Sequence, residues 1–122
     1  DLEVIRWNEE TEIEDLQRID IGLYPLSEDK WSLGKGGLKV MQYMSIGVPS
    51  VATNHGTACN IISQGESGFL VNTEEEWIKA LKNLIEDGDL RYKMGVSARK
   101  SVVENYSTNA IERCYLEVLE QL

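Results

Sequence analysis

The strongest pattern for chemistry is Gly34–Pro49, Gly-Lys-Gly-Gly-Leu-Lys-Val-Met-Gln-Tyr-Met-Ser-Ile-Gly-Val-Pro. Glycines and a lysine open it, an amphipathic run follows, and Gly47 and Pro49 close it. This reads as a helix whose first amides have no intrahelical acceptor. Glycines there let a ligand approach the backbone, and the free N–H groups attract anions. At a helical spacing of roughly 100° per residue, Lys35, Lys39 and Gln42 fall in one stripe roughly 60° wide. Lys35 and the amides of Lys35, Gly36 and Gly37 can meet one anion together. Gln42, two turns along, offers the donors and acceptors that sugar hydroxyls require. Gly37, Val40, Met41 and Met44 lie on or near the opposite side, where they would pack on a sheet. An ordinary solvated helix face is the competing reading of the same stripe. Gly-Lys-Gly-Gly is a weak motif that lacks the offsets of a P-loop, so spacing alone leaves the anion reading and the solvated face both open.

Charge distribution supports an anion site. The chain carries 21 acidic residues and a formal net charge of −9, yet no Asp or Glu occurs between Lys30 and Gly65. Lys30, Lys35 and Lys39 remain in that window. An acidic chain that clears acids from one stretch and keeps lysines there is suited to holding an anion; burial of the window is the alternative cause. The overall acidity argues against non-specific nucleic-acid binding and against charge-driven docking to anionic membranes. The single histidine, His55, sits in Asn54-His55-Gly56-Thr57, where it and Gly56 are placed either to touch a ligand or to shape a turn. With no second histidine and no nearby acid, neither a metal site nor a catalytic triad is expected. Cys59 and Cys114 have neither disulfide-framework nor zinc spacing and are expected as reduced, buried thiols. Of the three tryptophans, only Trp31, in the loop before the glycines, is expected outside the core.

The elements that must position these residues follow from periodicity. Leu2–Trp7 alternates and reads as a strand. Thr11 and Glu14 form a candidate capping box for a short helix to about Ile19, with Ile13 and Leu16 inward. Ile21–Tyr24 reads as a strand buried on both faces, and Ser27–Leu33 as a polar loop. Ser50–Thr53 is a strand, Ala58–Ser63 a short helix, and Phe69–Val71 a fourth strand. Thr73 and Glu76 cap a helix to about Ile85 with Trp77, Ile78, Leu81, Leu84 and Ile85 on one face. Leu90, Met94, Ala98 and Val102 mark the next helix. Ser107 caps a last one with Ile111, Tyr115, Val118 and Leu122 inward.

Strands alternating with helices give an α/β fold, a parallel sheet with helices on both faces, closing in C-terminal helices. Its ligand belongs beyond the carboxyl ends of the strands, at Pro25–Gly34, at Asn54–Thr57 and near Asn8. The 122 residues suit one domain. No apolar run is long enough to span a bilayer, and no signal-peptide pattern opens the chain. There is no initiator Met and the chain starts inside an apparent strand, so it is expected to be a piece of a longer protein.

Three segments together resemble a known family: Asp20–Leu26 (Asp-Ile-Gly-Leu-Tyr-Pro-Leu), Gly34–Lys39, and Gln42–Val51 (Gln-Tyr-Met-Ser-Ile-Gly-Val-Pro-Ser-Val). They are similar to the carboxy-terminal domain of family 4 retaining glycosyltransferases of the GT-B fold. Gly56 with Asn60-Ile61-Ile62, Gly65, Gly68–Val71, Trp77 with Leu81 and Leu84, and Leu90-Arg91 with Met94-Gly95 and Ala98-Arg99 extend the likeness over nearly the whole chain. The resemblance implies a Rossmann-like domain that binds a nucleotide-sugar, with an acceptor domain absent from this chain. It implies transfer of a hexose from a nucleoside-diphosphate donor to an acceptor hydroxyl, on a glycan or lipid-linked sugar, with retention. It implies no covalent protein nucleophile, no metal and no cofactor besides the donor substrate. The setting implied is cytoplasmic, in cell-surface polysaccharide synthesis, with peripheral membrane association of the parent compatible with it. Lys35 would stabilise the leaving diphosphate, with Gly34, Gly36, Gly37, Lys39, Gln42, His55 and Gly56 around the donor. The family's two glutamates, eight positions apart, fall on Gly34 and Gln42, and a third falls on Asn60. With the acceptor domain and the family's upstream Arg/Lys pair also outside this chain, the isolated chain is expected not to catalyse transfer. A non-catalytic interaction module with a decayed site on the same fold is the alternative.

Overall fold

The structure, a computed structural model, describes residues 2–122. In chain order the elements are α1 (Glu12–Gln17), β1 (Gly22–Tyr24), α2 (Lys30–Leu33), α3 (Leu38–Ser45), β2 (Ser50–Thr53), α4 (Ala58–Ile61), β3 (Gly68–Val71), α5 (Glu74–Glu86), α6 (Gly88–Tyr106) and α7 (Thr108–Glu120). The sheet is parallel throughout, in the order β1-β2-β3. Leu23 pairs with Val51, and Val51 with Phe69.

The central strand fixes two cores. All four residues of β2 are buried, and successive side chains of a strand point to opposite faces. Ala52 joins Val40 and Met44 of α3, Ala58 and Ile61 of α4, and Ala98 and Val102 of α6. Val51 joins Val71, Ala80 and Leu84 of α5, and Met94 of α6. The expected Leu90-Met94-Ala98-Val102 stripe thus serves both sides of the sheet from one helix. Met44 and Leu84 are wholly removed from solvent, each stabilising the fold by about 1.5–3 kcal/mol. Around α5, the Thr73–Glu76 capping box forms in both directions, as its sequence predicts.

Several expectations are corrected. Residues 2–7 form no strand; Leu2, Val4 and Trp7 are exposed. Alternation makes a strand only where a neighbour takes its backbone hydrogen bonds, and β1 pairs with β2 alone. As an outer strand, β1 is covered unequally: Gly22 is buried and Leu23 is exposed. The Thr11–Glu14 box does not form. Thr11 Oγ1 instead donates to Asp15 Oδ2 at 2.9 Å, and Ile13 is exposed. Ile78 and Ile85 of α5 face solvent while Trp77, Leu81 and Leu84 pack. On α7, Ser107 caps as expected and Ala110 is buried, but Ile111, Tyr115, Val118 and Leu122 are exposed. Their spacing is amphipathic, yet α7 packs chiefly on α6 and meets no further layer.

Candidate functional site

The glycine segment folds differently from its helical reading. The helix begins at Leu38, four residues later than Gly34, with Gly37 as its N-cap in the left-handed region (φ 69°). Glycine adopts that conformation without steric cost. A Cβ at Gly37 would also lie 2.6 Å from Ile61 Cδ1, so the turn sits directly on α4. The Gly34 and Lys35 amides donate to Trp31 O (3.1 Å) and Ser32 O (3.2 Å) and are not free. The amides of Gly36, Gly37, Leu38, Lys39 and Val40 have no hydrogen-bond partner among the described residues, and Met41 N is the first to donate back, to Gly37 O at 3.1 Å. The free donors are thus shifted towards the chain's end from the expected Lys35–Gly37 set. They remain five consecutive amides at the positive end of a helix, where an anion is favoured.

Lys35 and Lys39 are exposed, and neither is in an ion pair among the described residues. Because Lys35 precedes the helix, the expected three-residue stripe divides. Lys39 and Gln42 remain on α3, and Lys35 belongs to the loop before it. Val40 and Met44 pack on the sheet as expected, and Gly37 is buried beside α4.

Two loops meet beyond the carboxyl ends of β1 and β2. Leu26 N donates to Thr53 Oγ1 at 2.8 Å, joining the strand ends. Gly56, at φ 61°, turns so closely over α2 that a Cβ would be 3.4 Å from Ser32 O. His55 Nε2 lies 3.4 Å from Asp29 O, and its backbone amide donates to Thr53 O at 2.7 Å. His55 and Gly56 thus border α2 and the loop that leads into it, and the contacts of His55 are those of a turn. Asn8, expected at a third strand end, instead turns the chain ahead of α1, its Oδ1 accepting from Glu10 N at 3.0 Å.

Asp29 organises the loop that sequence reading left as merely polar. Its Oδ1 accepts from Ser32 N at 2.7 Å, capping α2, and its Oδ2 accepts from Ser27 Oγ at 2.6 Å. Ser32 is buried, 3.1 Å from Ser27 across their hydroxyls. The Ser27 hydroxyl, then the Ser32 amide, hold the Asp29 carboxyl down at about 2. Asp followed three residues later by the bonded amide is a helix-start signal that could have been read from Asp29-Lys30-Trp31-Ser32. Trp31, on the same short helix, is 82% exposed, as expected of a residue outside the core. Trp7 is exposed too, against the expectation of a core residue.

α3 also borders an open cleft of about 650 Å³, lined by Glu12, Ile13, Leu16 and Gln17 of α1, Gln42, Ser45 and Ile46, and Arg99 of α6. Gln42 Nε2 donates to Glu12 Oε1 at 3.0 Å, and the Arg99 guanidinium donates to Ser45 O. Sequence reading found Gln42 but missed Glu12, whose neighbour is 30 residues away. Cys59 and Cys114 are free and exposed, against the expectation of burial. Among the described residues no cluster of potential metal ligands occurs, and no helix is long and apolar enough to cross a membrane.

Comparison with known proteins gives this arrangement a family. Residues 2–101 match the family described as glycosyl transferases group 1. The chain is 32% identical over 89 residues to the N-acetyl-alpha-D-glucosaminyl L-malate synthase of Bacillus anthracis, covering 68% of this chain and 23% of that protein. It is 32% identical over 87 residues to the D-inositol 3-phosphate glycosyltransferase of Corynebacterium jeikeium, covering 67% and 21%. The chain thus spans about a fifth of the length of the curated relatives it matches. Among solved structures, Anabaena HepE in complex with UDP and glucose superimposes with a TM-score of 0.74 at 20% identity, over 89% of this chain and 29% of that one. The C-terminal domain of the glycosyl transferase group 1 protein LpcC from Francisella tularensis superimposes with a TM-score of 0.68 at 27% identity, over 86% and 53%. The α/β fold and the match over residues 2–101 agree: the chain belongs to the glycosyl transferases group 1, in the part that forms their C-terminal, Rossmann-like domain.

Proposed function

We propose that this chain is the nucleotide-sugar-binding half of a retaining glycosyltransferase that moves a hexose from a nucleoside-diphosphate donor to an acceptor hydroxyl. The observation that carries the proposal is the run of five unpartnered amides, Gly36–Val40, between Lys35 and Lys39. Negative charge grows on the diphosphate as the glycosidic bond breaks, and fixed N–H dipoles with a nearby ammonium stabilise it most there. Lys35 is the residue assigned to that charge. Gly36, Gly37 and Lys39 form the phosphate wall, Gly34 shapes the turn that leads into it, its own amide being bonded to Trp31 O, and Gln42 takes the ribose. His55 and Gly56 close the site from the β2 side. HepE, of the same fold, is described with UDP and with UDP-glucose, which supports a nucleotide-sugar as the ligand class.

In this reading the acceptor, a glycan or lipid-linked sugar, is bound by a second domain of the parent protein, in the cytoplasm, on a route to a cell-surface polysaccharide. The chain by itself then lacks the acceptor site and turns over no donor. As the family resemblance implies, the departing phosphate oxygen serves as the base for the incoming hydroxyl. Lys35→Ala in the full-length parent tests the assignment. Turnover should fall by at least tenfold with the fold intact by circular dichroism. Unchanged turnover would remove Lys35 from the mechanism.

A further inference from the structure

The cleft beside α3 joins two polar side chains from distant parts of the chain. Glu12, on the first turn of α1, presents Oε1 3.0 Å from Gln42 Nε2. Both residues are half-buried and line a cleft of about 650 Å³ that opens to solvent. The apolar floor is supplied by Ile13, Leu16 and Ile46. Such a place, apolar below with a few convergent polar groups, suits a small ring bearing hydroxyls.

The hydrogen bond fixes what each group can still do. The Gln42 amide nitrogen spends one donor on Glu12 and keeps its carbonyl oxygen for another partner. Glu12 as a carboxylate is acceptor-only and retains its second oxygen and the remaining lone pairs of the first. The pair therefore offers a row of acceptors held in one orientation by an internal bond. Two adjacent hydroxyls on a ring, each a donor, match that row, and hydrogen bonds to an ionised acceptor are the stronger kind. An amide alone in this place has one acceptor atom; the pair has three.

Position relates the pair to the anion site. Gln42 lies four residues along α3 from Leu38, about 6 Å at the helical rise per residue. A nucleotide whose phosphates sit on the Gly36–Val40 amides carries its ribose at about this remove. We propose that Glu12 is a donor-binding residue: its carboxylate, oriented by Gln42, accepts hydrogen bonds from the 2′- and 3′-hydroxyls of the ribose. The assignment rests on the reading that nucleoside diphosphates bind over the start of α3. It adds that an element outside the glycine and His55 loops completes the site, and that α1 must be in place for ribose recognition.

The test is calorimetric titration of the full-length parent with UDP and with its 2′,3′-dideoxy analogue. For the wild type, UDP should bind at least tenfold more tightly than the dideoxy analogue. Glu12→Gln, close to isosteric, should weaken UDP about tenfold and leave the dideoxy analogue within a factor of two, erasing the preference. The exchange Glu12→Gln with Gln42→Glu restores one carboxylate in the same pair and should recover most of the UDP affinity. Equal UDP affinity in wild type and Glu12→Gln would overturn the proposal. So would equal weakening of both ligands, which would make Glu12 a support of the fold. Wild-type protein that binds neither ligand would overturn the nucleotide reading itself, and this assignment with it. Loss confined to Lys35→Ala, with Glu12→Gln unaffected, would keep that reading and refute this one.

Discussion

Gly37→Ala is the sharpest single perturbation of the site, because two independent costs meet there. The residue sits at φ 69°, where a Cβ crowds the following carbonyl at about 1–2 kcal/mol. The new methyl would also stand 2.6 Å from Ile61 Cδ1, a buried atom of the core under α4. Overpacking of that kind costs about 1–3 kcal/mol, so the sum is about 2–5 kcal/mol. For a domain of this size that is roughly 8–20 °C in melting temperature. The two terms can be separated. Ile61→Val shortens the side chain that the methyl meets and should recover part of the packing loss but none of the backbone loss. Urea unfolding of wild type, both single variants and the double variant gives the coupling. The expected result is a double variant less destabilised than the sum of the single variants by about 1 kcal/mol or more, with a residual deficit that no change at Ile61 removes. Because Gly37 also caps the helix whose amides are proposed to receive the phosphate, nucleotide affinity should fall further than stability alone accounts for. A Gly37→Ala protein within about 0.5 kcal/mol of wild type, a surface-like effect, would refute both the assigned turn and its packing.

Other features have equally definite consequences. Gly95→Ala in α6 would set a Cβ 2.0 Å from Gly47 O, a backbone atom that cannot swing aside. Alanine's better helix propensity, worth about 1 kcal/mol, should therefore not prevent a net loss of stability, to be read by thermal melting. The Asp29 carboxyl is held down at about 2 by the Ser27 hydroxyl and the Ser32 amide, against an ordinary value near 4. A depressed folded-state value means its stabilising effect is complete above the unfolded value and is lost as pH falls through the folded one. The Ser27–Gly34 loop should thus keep its order to about pH 4 and lose it towards pH 2, followed by amide chemical shifts of Ser32. Asp29→Asn should remove that pH dependence, and a persistent transition in the variant would contradict the assignment.

How far the sequence carries can be judged from particular residues. Ser50–Thr53, the Thr73–Glu76 box and the Leu90-Met94-Ala98-Val102 stripe were legible because short-range chemistry decides them: a short run released by Gly47 and Pro49, a reciprocal cap, one helical face. Gly34–Gly37 was legible as a helix start but four residues early. Composition places the glycines near the cap; only packing against Ile61 says which of them takes the positive φ. The Leu2–Trp7 and α7 expectations failed for one physical reason. Alternation and amphipathic spacing state which face wants burial, not whether anything is there to cover it. Within the proposed site, Lys39 and Gln42 followed from periodicity, whereas Glu12 did not. Its partner lies 30 residues on, and no local pattern records a contact between helices. Asp29 fell between these cases: its capping signal is local and short, and was masked by the polar character of the surrounding loop.

The central claim is that the amides of Gly36–Val40 receive a diphosphate. The most direct measurement is a titration of the 15N-labelled parent with UDP, followed by amide chemical shifts. The account predicts the largest shifts at Gly36, Gly37, Leu38, Lys39 and Val40, smaller ones at Gln42 and at His55–Thr57, and their loss in Lys35→Ala. Saturable binding that shifts other amides and leaves Gly36–Val40 unmoved would contradict it.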